Sequence, residues 1–477
     1  GFGPTDARGR LLEMTEVRSV PLRSTAGRGL ILATVLGSGM VFLDSTVVTV
    51  ALPRLARELG GGLPVQQWVV NGYLLTLSSL LLLGGALGDR YGRRRLFTIG
   101  LVAFTVASLA CGLAPTGPTL VVARVIQGIG GALLVPGSLA LINSVIRPDD
   151  RGRAIGVWAG LSGVTTAVGP FVGGWLVDAV SWRLVFLLNI PLAVATLWAT
   201  LRSVPETRAA DVHGRPDFLG SLAVTLGLAG VTYALIEVPG RGWSTGTTVA
   251  AVGGVIGLVV FPFLETRVSS PVLSLELFRS RQFTGTNLTT LVVYGALGGA
   301  TFLLTLQLQQ SMGYSALEAG LALLPVTVLL LLLSSRMGGL ATRIGPRLPM
   351  TVGPIVAGIG LGLMAFVVPG VGYWQVVLPS VVVFGLGLSI TVAPLTTAVL
   401  AAVEESHVGT ASGVNNAISR LAGLLAVAVL PPLAGLATGQ GPLGPGFPRA
   451  MLIAAAACAL GGLIAYLTVS PKLTEAT

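Results

Sequence analysis

Long apolar stretches, separated by short polar loops, run through almost the whole sequence. A helix needs about 20 mostly apolar residues to cross the hydrocarbon core of a bilayer. Fourteen stretches meet this length, so the sequence predicts an all-α membrane protein with 14 transmembrane helices. The stretches lie near residues 29–53, 66–88, 96–114, 118–145, 152–177, 182–201, 217–238, 247–265, 283–309, 316–335, 348–369, 373–401, 409–435 and 449–469.

The composition excludes the main alternative classes of protein. Only 10% of the 477 residues are charged, whereas soluble globular chains carry about 25%. Disordered chains are poor in apolar residues, and this chain has 53% hydrophobic residues. A membrane β-barrel would show short alternating strands instead of continuous apolar runs.

The sequence contains no pattern that indicates an enzyme. The two cysteines and two histidines have no metal or redox spacing. No phosphate-binding loop of the G-x-x-x-x-G-K-[ST] type occurs, and no Ser-His-Asp arrangement is evident. We therefore expect a chain that is not an enzyme and that holds no cofactor or metal.

The positions of the basic residues predict the orientation in the membrane. With the N-terminus inside, 22 of the 29 Lys and Arg residues fall on the cytoplasmic side and five on the outside. The other two, Arg124 and Arg420, lie inside apolar stretches. By the positive-inside rule both termini are cytoplasmic, and we expect a multi-pass protein of the bacterial cytoplasmic (inner) membrane. The net charge of +10 then reflects topology, and no nucleic-acid partner is expected.

Two motifs occur twice at nearly the same offset, which indicates duplicated halves. Residues 85–95 (GALGDRYGRRR) return in a degenerate form 253 positions later, and the pattern Gly-x-Ala-x-Gly-Val of residues 152–157 returns 257 positions later. Six spans with loops need roughly 180 residues, so two additional spans separate the halves. The expected domains are a cytoplasmic N-terminal segment 1–28, a six-helix bundle 29–201, a linker with two extra transmembrane helices 202–282, a second six-helix bundle 283–469 and a cytoplasmic tail 470–477.

Several motifs together resemble one family. Residues 85–95, 124–131 (RVIQGIGG) and 169–174 (GPFVGG) resemble motifs of the major facilitator superfamily. Residues 43–53 (LDSTVVTVALP) resemble the first-span motif of its fourteen-span drug:proton antiporter branch, with Thr49 where that branch usually has Asn; Trp182, Arg183, Asn189 and Pro191 also fit the branch. The resemblance covers about residues 30–470. It implies the major facilitator fold and multidrug efflux by alternating access, hence antibiotic resistance.

Asp44 and Arg124 are the candidate proton-coupling residues. Asp44 lies in the middle of the first span, where a charged side chain costs at least about 2.5–3.5 kcal/mol. Burial disfavours a charged carboxylate, whereas a nearby arginine favours it. A balance between these two effects would let Asp44 load and release a proton. A purely structural hydrogen-bonded Asp44, and an Arg124 bound only to backbone carbonyls, are the alternatives.

Two motifs are candidates for conformational gating. By resemblance, the loop after the second span latches the halves together when the cavity faces outward; a solvated positive-inside loop is the alternative. The glycines and proline of the fifth span indicate a bent, tightly packed helix, and the resemblance ties them to exporters; ordinary packing of small residues is the alternative. The gating candidates are Gly85, Asp89, Arg90, Gly92, Arg93, Arg94, Gly169, Pro170, Gly173 and Gly174.

Polar side chains inside the spans are candidates for lining a substrate cavity. Anchoring at the membrane interface or hydrogen bonding between helices explains each of them equally well. The candidates are Asp44, Trp68, Asn71, Gln127, Asn287, Tyr294, Gln307 and Asn415.

These features favour proton-coupled efflux of amphipathic, cationic drugs or toxic compounds. An exporter or flippase of a lipid or natural product on the same fold is the first alternative, because only one cavity acid is available to attract a cation. A non-transporting scaffold or sensor is the second. The expected partners are membrane lipids, the small amphipathic substrate and the protons that serve as coupling ion, and a monomer is expected.

Overall fold

The protein is described here from a computed structural model that covers residues 19–209, 216–268, 271, 273–404, 407–436 and 443–471. The predicted terminal segments 1–28 and 470–477 fall largely outside this range. Fourteen helices of the described chain are long and apolar enough to cross a membrane. We number them α1–α14: Thr25–Leu59, Gly62–Tyr91, Arg93–Gly112, Gly117–Val145, Pro148–Ala179, Leu184–Ser203, Phe218–Arg241, Thr245–Glu265, Arg281–Ser311, Ala316–Ile344, Arg347–Met364, Tyr373–Leu400, Val408–Leu433 and Gly446–Thr468.

The predicted number and class of helices are confirmed, and several helices extend beyond their apolar stretch. α5 begins at Pro148 instead of residue 152, with Asp149 and Asp150 in its first turn. Proline fits the first helical position because its missing N–H would have no partner there. The positive N-terminal end of the helix dipole stabilises the negative charges of these two acids. Polar residues therefore continue the helix into the loop, which an apolar pattern does not detect.

The helices form two six-helix bundles, α1–α6 and α9–α14, with the same internal packing. In the first bundle α1 packs on α5 and α6, and α4 packs on α2 and α3. In the second bundle α9 packs on α13 and α14, and α12 packs on α10 and α11. Each pair recurs eight helices later, as expected for duplicated halves. This is the major facilitator fold with two extra helices between its bundles.

The extra helices α7 and α8 stand beside one seam between the bundles. α7 packs on α2 of the first bundle and on α13 of the second, and α8 packs mainly on α7. The indole Nε1 of Trp68 in α2 donates to Glu237 of α7 over 3.1 Å, and the Trp68 and Tyr233 rings lie 6.2 Å apart. The α2–α13 seam is thus covered from the membrane side.

The two bundles are closed against each other at one end, which we call the far end; it contains the end of α1 and the start of α2. At the opposite, terminal end, which contains Thr25 and Thr468, the bundles still contact each other along the α2–α13 seam, where Leu82 lies beside Gly413. One buried hydrophobic cluster at the far end joins α1 residues such as Leu52 to α9 residues such as Leu303. Gln309 Nε2 donates to the Val50 carbonyl at 3.0 Å across the seam.

Towards the terminal end α5 has open space beside it. Gly152, Gly156, Gly160 and Gly163 follow one another at helical spacing on α5, and a Cβ added at any of them would meet no atom within 4 Å. The space between the bundles therefore opens on the α5 side of the terminal end, while the far end is closed.

Candidate functional site

An ion pair between Asp44 and Arg124 lies at the centre of the first bundle. Arg124 Nη1 is 2.5 Å from Asp44 Oδ2, and their side chains are 2% and 0% exposed, respectively. α1 carries the acid and α4 the base. Asp44 is the only acidic residue of the described chain that lies in the middle of a membrane-spanning helix. The two predicted proton-coupling residues are therefore in direct contact.

The second carboxylate oxygen of Asp44 accepts from two side-chain amides. Gln127 Nε2 lies 2.9 Å from Asp44 Oδ1, and Asn189 Nδ2 of α6 lies 3.2 Å from the same atom. Both amides also contact the hydroxyl of Ser108 in α3, at 2.8 and 3.2 Å. Four helices thus contribute to one buried polar network, and each carboxylate oxygen has a donor. Hydrogen bonds to both carboxylate oxygens offset the free-energy cost of burying this charge.

Arg124 has partners on every side. Its Nε donates to the Val69 carbonyl over 2.9 Å, and Nη1 also donates to Gln127 Oε1 over 2.6 Å. The guanidinium carbon lies 4.2 Å from the centre of the Tyr73 ring. A carbonyl, an amide, an aromatic face and a carboxylate together replace the water that this cation loses on burial.

In this arrangement the charge states of Asp44 and Arg124 depend on each other. A buried ion pair is strongly destabilised when one partner loses its charge, by about 3–5 kcal/mol. Protonation of Asp44 would leave Arg124 as an uncompensated cation among its neutral partners. No group of three or more His, Cys, Asp or Glu side chains that would hold a metal occurs in the described ranges.

Two members of the network, Ser108 and Asn189, were not among the predicted site residues. Ser108 lies in an apolar run that gave no signal. Asn189 stood out only through the Asn-x-Pro pattern of the family resemblance. In the structure α6 is interrupted at Leu188, directly before Asn189. The position of this polar residue at a helix interruption is the structural feature that identifies Asn189 as part of the site.

Three of the other cavity candidates form hydrogen bonds inside the second bundle. Asn415 Nδ2 of α13 donates to Asn287 Oδ1 at 3.1 Å and to Thr290 Oγ1 at 2.8 Å, both on α9. Gln307 is buried and donates to the Val367 carbonyl over 2.9 Å. Tyr294, also on α9, is half-buried. Asn415 and Tyr294 retain exposure, whereas Gln307 is 1% exposed.

The two candidates on α2 lie differently. Trp68 is directed towards α7 by its bond to Glu237, at the covered seam. Asn71 is fully buried, and neither of its amide atoms has a hydrogen-bond partner in the described chain. Burial without a partner is costly for an amide. Asn71 is thus the clearest unsatisfied group in the interior of the first bundle.

The loop between α2 and α3 is bound to its own bundle. Asp89 pairs with Arg93 over 2.8 Å, and the Arg93 N–H donates to the Thr207 carbonyl. Glu206 accepts from the backbone N–H groups of Arg94 and Arg95, at 3.1 and 3.0 Å, and so caps the start of α3. Of the remaining gating candidates in this region, Gly85 lies near Pro136, Arg90 lies 5.8 Å from the centre of the Tyr91 ring, and Gly92 adjoins Glu206.

The fifth-span motif lies against α10 of the second bundle and against α1. A Cβ on Gly174 would lie 2.5 Å from the Leu317 Cα, and one on Gly320 would meet the Pro170 carbonyl. Gly169 and Gly173 approach Thr46 and Val47 of α1 in the same way. α5 continues through Pro170. The motif therefore provides the close contact between the bundles at the closed far end.

The comparisons with known proteins agree with this geometry. The profile described as Major Facilitator Superfamily matches residues 34–427. The multidrug resistance protein Stp of Mycobacterium tuberculosis (strain CDC 1551 / Oshkosh) is 35% identical over 84% of this chain and 74% of its own length. The methylenomycin A resistance protein of Bacillus subtilis (strain 168) is 35% identical over 85% of this chain and 87% of its own length. The tetracenomycin C resistance and export protein of Streptomyces glaucescens is 34% identical over 88% of this chain and 78% of its own length.

Solved structures share the fold at low sequence identity. A crystal structure of the peptide transporter POT (E310Q mutant) in complex with sulfate covers 94% of this chain and 96% of its own, with 16% identity and a TM-score of 0.69. A bacterial homolog to the human lysosomal transporter Spinster covers 93% of this chain and 97% of its own, with 18% identity and a TM-score of 0.66. The chain is a multi-pass membrane transporter and not an enzyme. With its profile match, its 14 helices and these relatives, it belongs to the Major Facilitator Superfamily.

Proposed function

We propose that this transporter exports amphipathic compounds in exchange for protons, and that Asp44 carries the proton. The buried pair of Asp44 and Arg124 is the observation that supports this proposal. It is fully hydrogen-bonded, it is remote from the ends of its helices, and each member of the pair stabilises the charge of the other. Intramembrane ionisable residues are rare, and they commonly mark ion pathways.

Coupling follows from the two charge states of the pair. In the ionised state α1 and α4 are joined by the ion pair, and Gln127 and Asn189 hold the carboxylate. A proton on Asp44 removes the attraction between these helices and leaves Arg124 uncompensated. The bundle can then lower its free energy by rearranging. A conformational equilibrium that responds to protonation is what proton-driven alternating access requires.

We further propose that the terminal end faces the cytoplasm of a bacterial cell and that both termini are cytoplasmic. The distribution of Lys and Arg supports this orientation. In the conformation described above, the space beside α5 would then receive cargo from the cytoplasm or the inner leaflet, because the far end is closed. Protons would enter from the outside after the bundles rearrange. Each proton that enters down 100 mV supplies about 2.3 kcal/mol.

The cargo class has two candidates. Several relatives are named for resistance to a compound, which supports efflux of toxic drugs. Others are named for export of a product, among them a tetracenomycin C resistance and export protein and a probable actinorhodin transporter of Streptomyces coelicolor. Export of an endogenous natural product is therefore the second candidate. The cationic charge that we expected for the cargo stays a prediction, since Asp44 is already paired with Arg124.

Transport in liposomes tests the proposal. Purified protein is reconstituted with an imposed pH gradient, lumenal pH is followed, and ethidium is added to the native chain and to Asp44→Asn. We expect substrate-dependent proton release that Asp44→Asn abolishes. Asp149→Asn is the matched control, because Asp149 is exposed in the first turn of α5 and its substitution changes the net charge equally.

Two other results would contradict the proposal, and a third calls for a second assay. Equal proton release by the native chain and Asp44→Asn would place the proton on another group. Transport of the dye by the native chain with no proton movement would exclude antiport. If the native chain moves neither dye nor protons, the same assay with N-phenyl-1-naphthylamine as a neutral cargo decides between a different cargo and no transport.

A further inference from the structure

Arg420 occupies the middle of α13, where it faces the first bundle across the space between the halves. Its guanidinium carbon lies 5.4 Å from the centre of the Phe42 ring on α1. Its Nε donates to Asn416 Oδ1, one turn away on α13, at 3.1 Å. The residue is half-buried. One cation thus lies between the two bundles at the depth of α1 at which the proton-binding network is found.

The partners of Arg420 are far fewer than those of Arg124. Arg124 has a carboxylate, a carbonyl, an amide and an aromatic ring. Within the described part of the chain Arg420 has one amide and one aromatic ring, and no carboxylate pairs with it. Its two Nη atoms make no hydrogen bond to a described residue. Four strong donors therefore remain available on a cation that has already lost part of its water.

The proton-binding site and Arg420 lie on opposite sides of α1. Phe42 and Asp44 are two residues apart, so their side chains diverge by about 200° around the helix. Asp44 points into the first bundle, where both of its oxygens are engaged. Phe42 points to Arg420. The charges of Asp44 and Arg124 compensate each other, whereas no carboxylate of the described chain pairs with Arg420.

We propose that Arg420 and Phe42 form an anion-binding subsite of the cargo cavity, and that the cargo is an amphipathic aromatic compound with an acidic group, in place of the cationic cargo that the sequence predicts. The guanidinium binds a carboxylate or sulfonate through two parallel N–H donors. The Phe42 ring contacts the apolar part of the same molecule. The subsite joins the two bundles, so the cargo is held at the seam whose opening and closing transports it. This inference rests on the proposed export function and specifies its cargo class.

Equilibrium binding without a pH gradient tests the subsite separately from proton coupling. The probe is 8-anilino-1-naphthalenesulfonate, and its neutral counterpart is N-phenyl-1-naphthylamine, which has the same rings without the sulfonate. Binding to purified protein in a nonionic detergent is measured by titration calorimetry, with empty micelles as the blank. The variants are Arg420→Gln and Arg420→Lys. The control is Arg449→Gln, which removes one positive charge at the exposed start of α14.

We expect Arg420→Gln to weaken binding of the sulfonate at least tenfold and to change binding of the neutral probe less than twofold. Arg420→Lys keeps the charge and loses the paired geometry, so we expect an intermediate affinity. Arg449→Gln leaves both affinities unchanged. Native affinity for the sulfonate in folded Arg420→Gln would overturn the proposal. Equal loss of both probes in that variant would do the same, because it indicates a structural role.

A measurement on the native chain alone keeps the proposal testable if Arg420→Gln does not fold. Naphthalene-1-carboxylate and naphthalene-1-carboxamide compete with the bound sulfonate, and they differ in charge at nearly equal size. We expect the acid to displace the probe at a concentration at least tenfold lower. Equal potency, or absence of sulfonate binding, overturns the subsite. Failure of the proton assay with ethidium and also with 8-anilino-1-naphthalenesulfonate as the added compound, together with intact sulfonate binding, would contradict the coupling by Asp44 and leave the subsite standing.

Discussion

The carboxylate of Asp178, in the last turn of α5, accepts a hydrogen bond of 2.8 Å from the backbone N–H of Leu317 in α10. Its other oxygen accepts from the Ala316 N–H at 3.1 Å. Both N–H groups belong to the first turn of α10, where the helix dipole favours an anion. One acid of the first bundle therefore caps a helix of the second bundle, at the end where the bundles are closed.

Loss of this charge is expected to open the far end. Asp178→Asn keeps the size of the side chain and removes a charge-assisted contact, so we expect the ratio of closed to open molecules to fall about tenfold, or about 1.4 kcal/mol. Electron–electron distance measurements between spin labels at Leu113 and Trp374, which are exposed at the far end of the two bundles, report the populations. Asp149→Asn, at the opposite end of α5, is the control. An unchanged distance distribution in Asp178→Asn would show that the cap does not set this equilibrium.

Removal of one donor from the Asp44 carboxylate is expected to destabilise the buried polar network. Asn189→Leu deletes the donor at 3.2 Å from Asp44 Oδ1 and the contact of the same amide with the Ser108 hydroxyl. A hydrogen bond to a charged group contributes about 1.5–3 kcal/mol, so the free energy of unfolding should fall by about that amount. Thermal unfolding in detergent measures the loss, and initial transport rates in liposomes should fall with it.

Asn71→Leu is the matched control for Asn189→Leu, because Asn71 is also a buried amide in the first bundle. Its amide atoms have no partner in the described chain, so we expect a melting temperature that is equal or higher. A lower melting temperature, with weakened transport, would mean that Asn71 has a partner in another conformation. An equal fall in melting temperature in both variants would contradict the assigned role of Asn189.

Much of the fold and three of the five side chains in the buried network around Asp44 follow from the sequence. Apolar length predicts the fourteen helices, because in a bilayer only continuous helices satisfy the backbone of a single span. A lone acid in the first span predicts Asp44, since its insertion is costly. Ser108 and the contacts of Asp178 escape prediction because a serine in an apolar run and an acid at a helix end are common. Only tertiary packing brings each of them to its partner.

Gly92 connects α2 to α3 in a backbone conformation that other residues avoid. Its φ is +115°, and an added Cβ would lie 2.7 Å from Oε1 of Glu206, which caps α3. We expect Gly92→Ala to lower the free energy of unfolding by about 1–3 kcal/mol. Gly88→Ala is the control, since Gly88 is helical and an added Cβ would meet no atom within 4 Å, and it should be neutral or stabilising by up to about 1 kcal/mol. Thermal unfolding in detergent compares the two, and equal melting temperatures would refute the argument.

The close contact of Gly174 with α10 is expected to act on the same closed state as Asp178. A Cβ at residue 174 would lie 2.5 Å from the Leu317 Cα, and a backbone atom yields only if the helices separate. We therefore expect Gly174→Ala to favour the open far end by about 1–3 kcal/mol in the spin-label measurement. Gly163→Ala on the same helix faces open space and should change nothing there.

The double variant separates a shared seam from two independent effects. Gly174 and Asp178 are one helical turn apart, and both contact the start of α10 at Leu317. Residues that share a partner show non-additive energies, whereas distant sites add within about 0.5 kcal/mol. Once Gly174→Ala has displaced α10, the Asp178 cap is already broken, and Asp178→Asn should have little further effect. Strict additivity of the two substitutions would mean that the glycine contact and the cap stabilise the closed end separately.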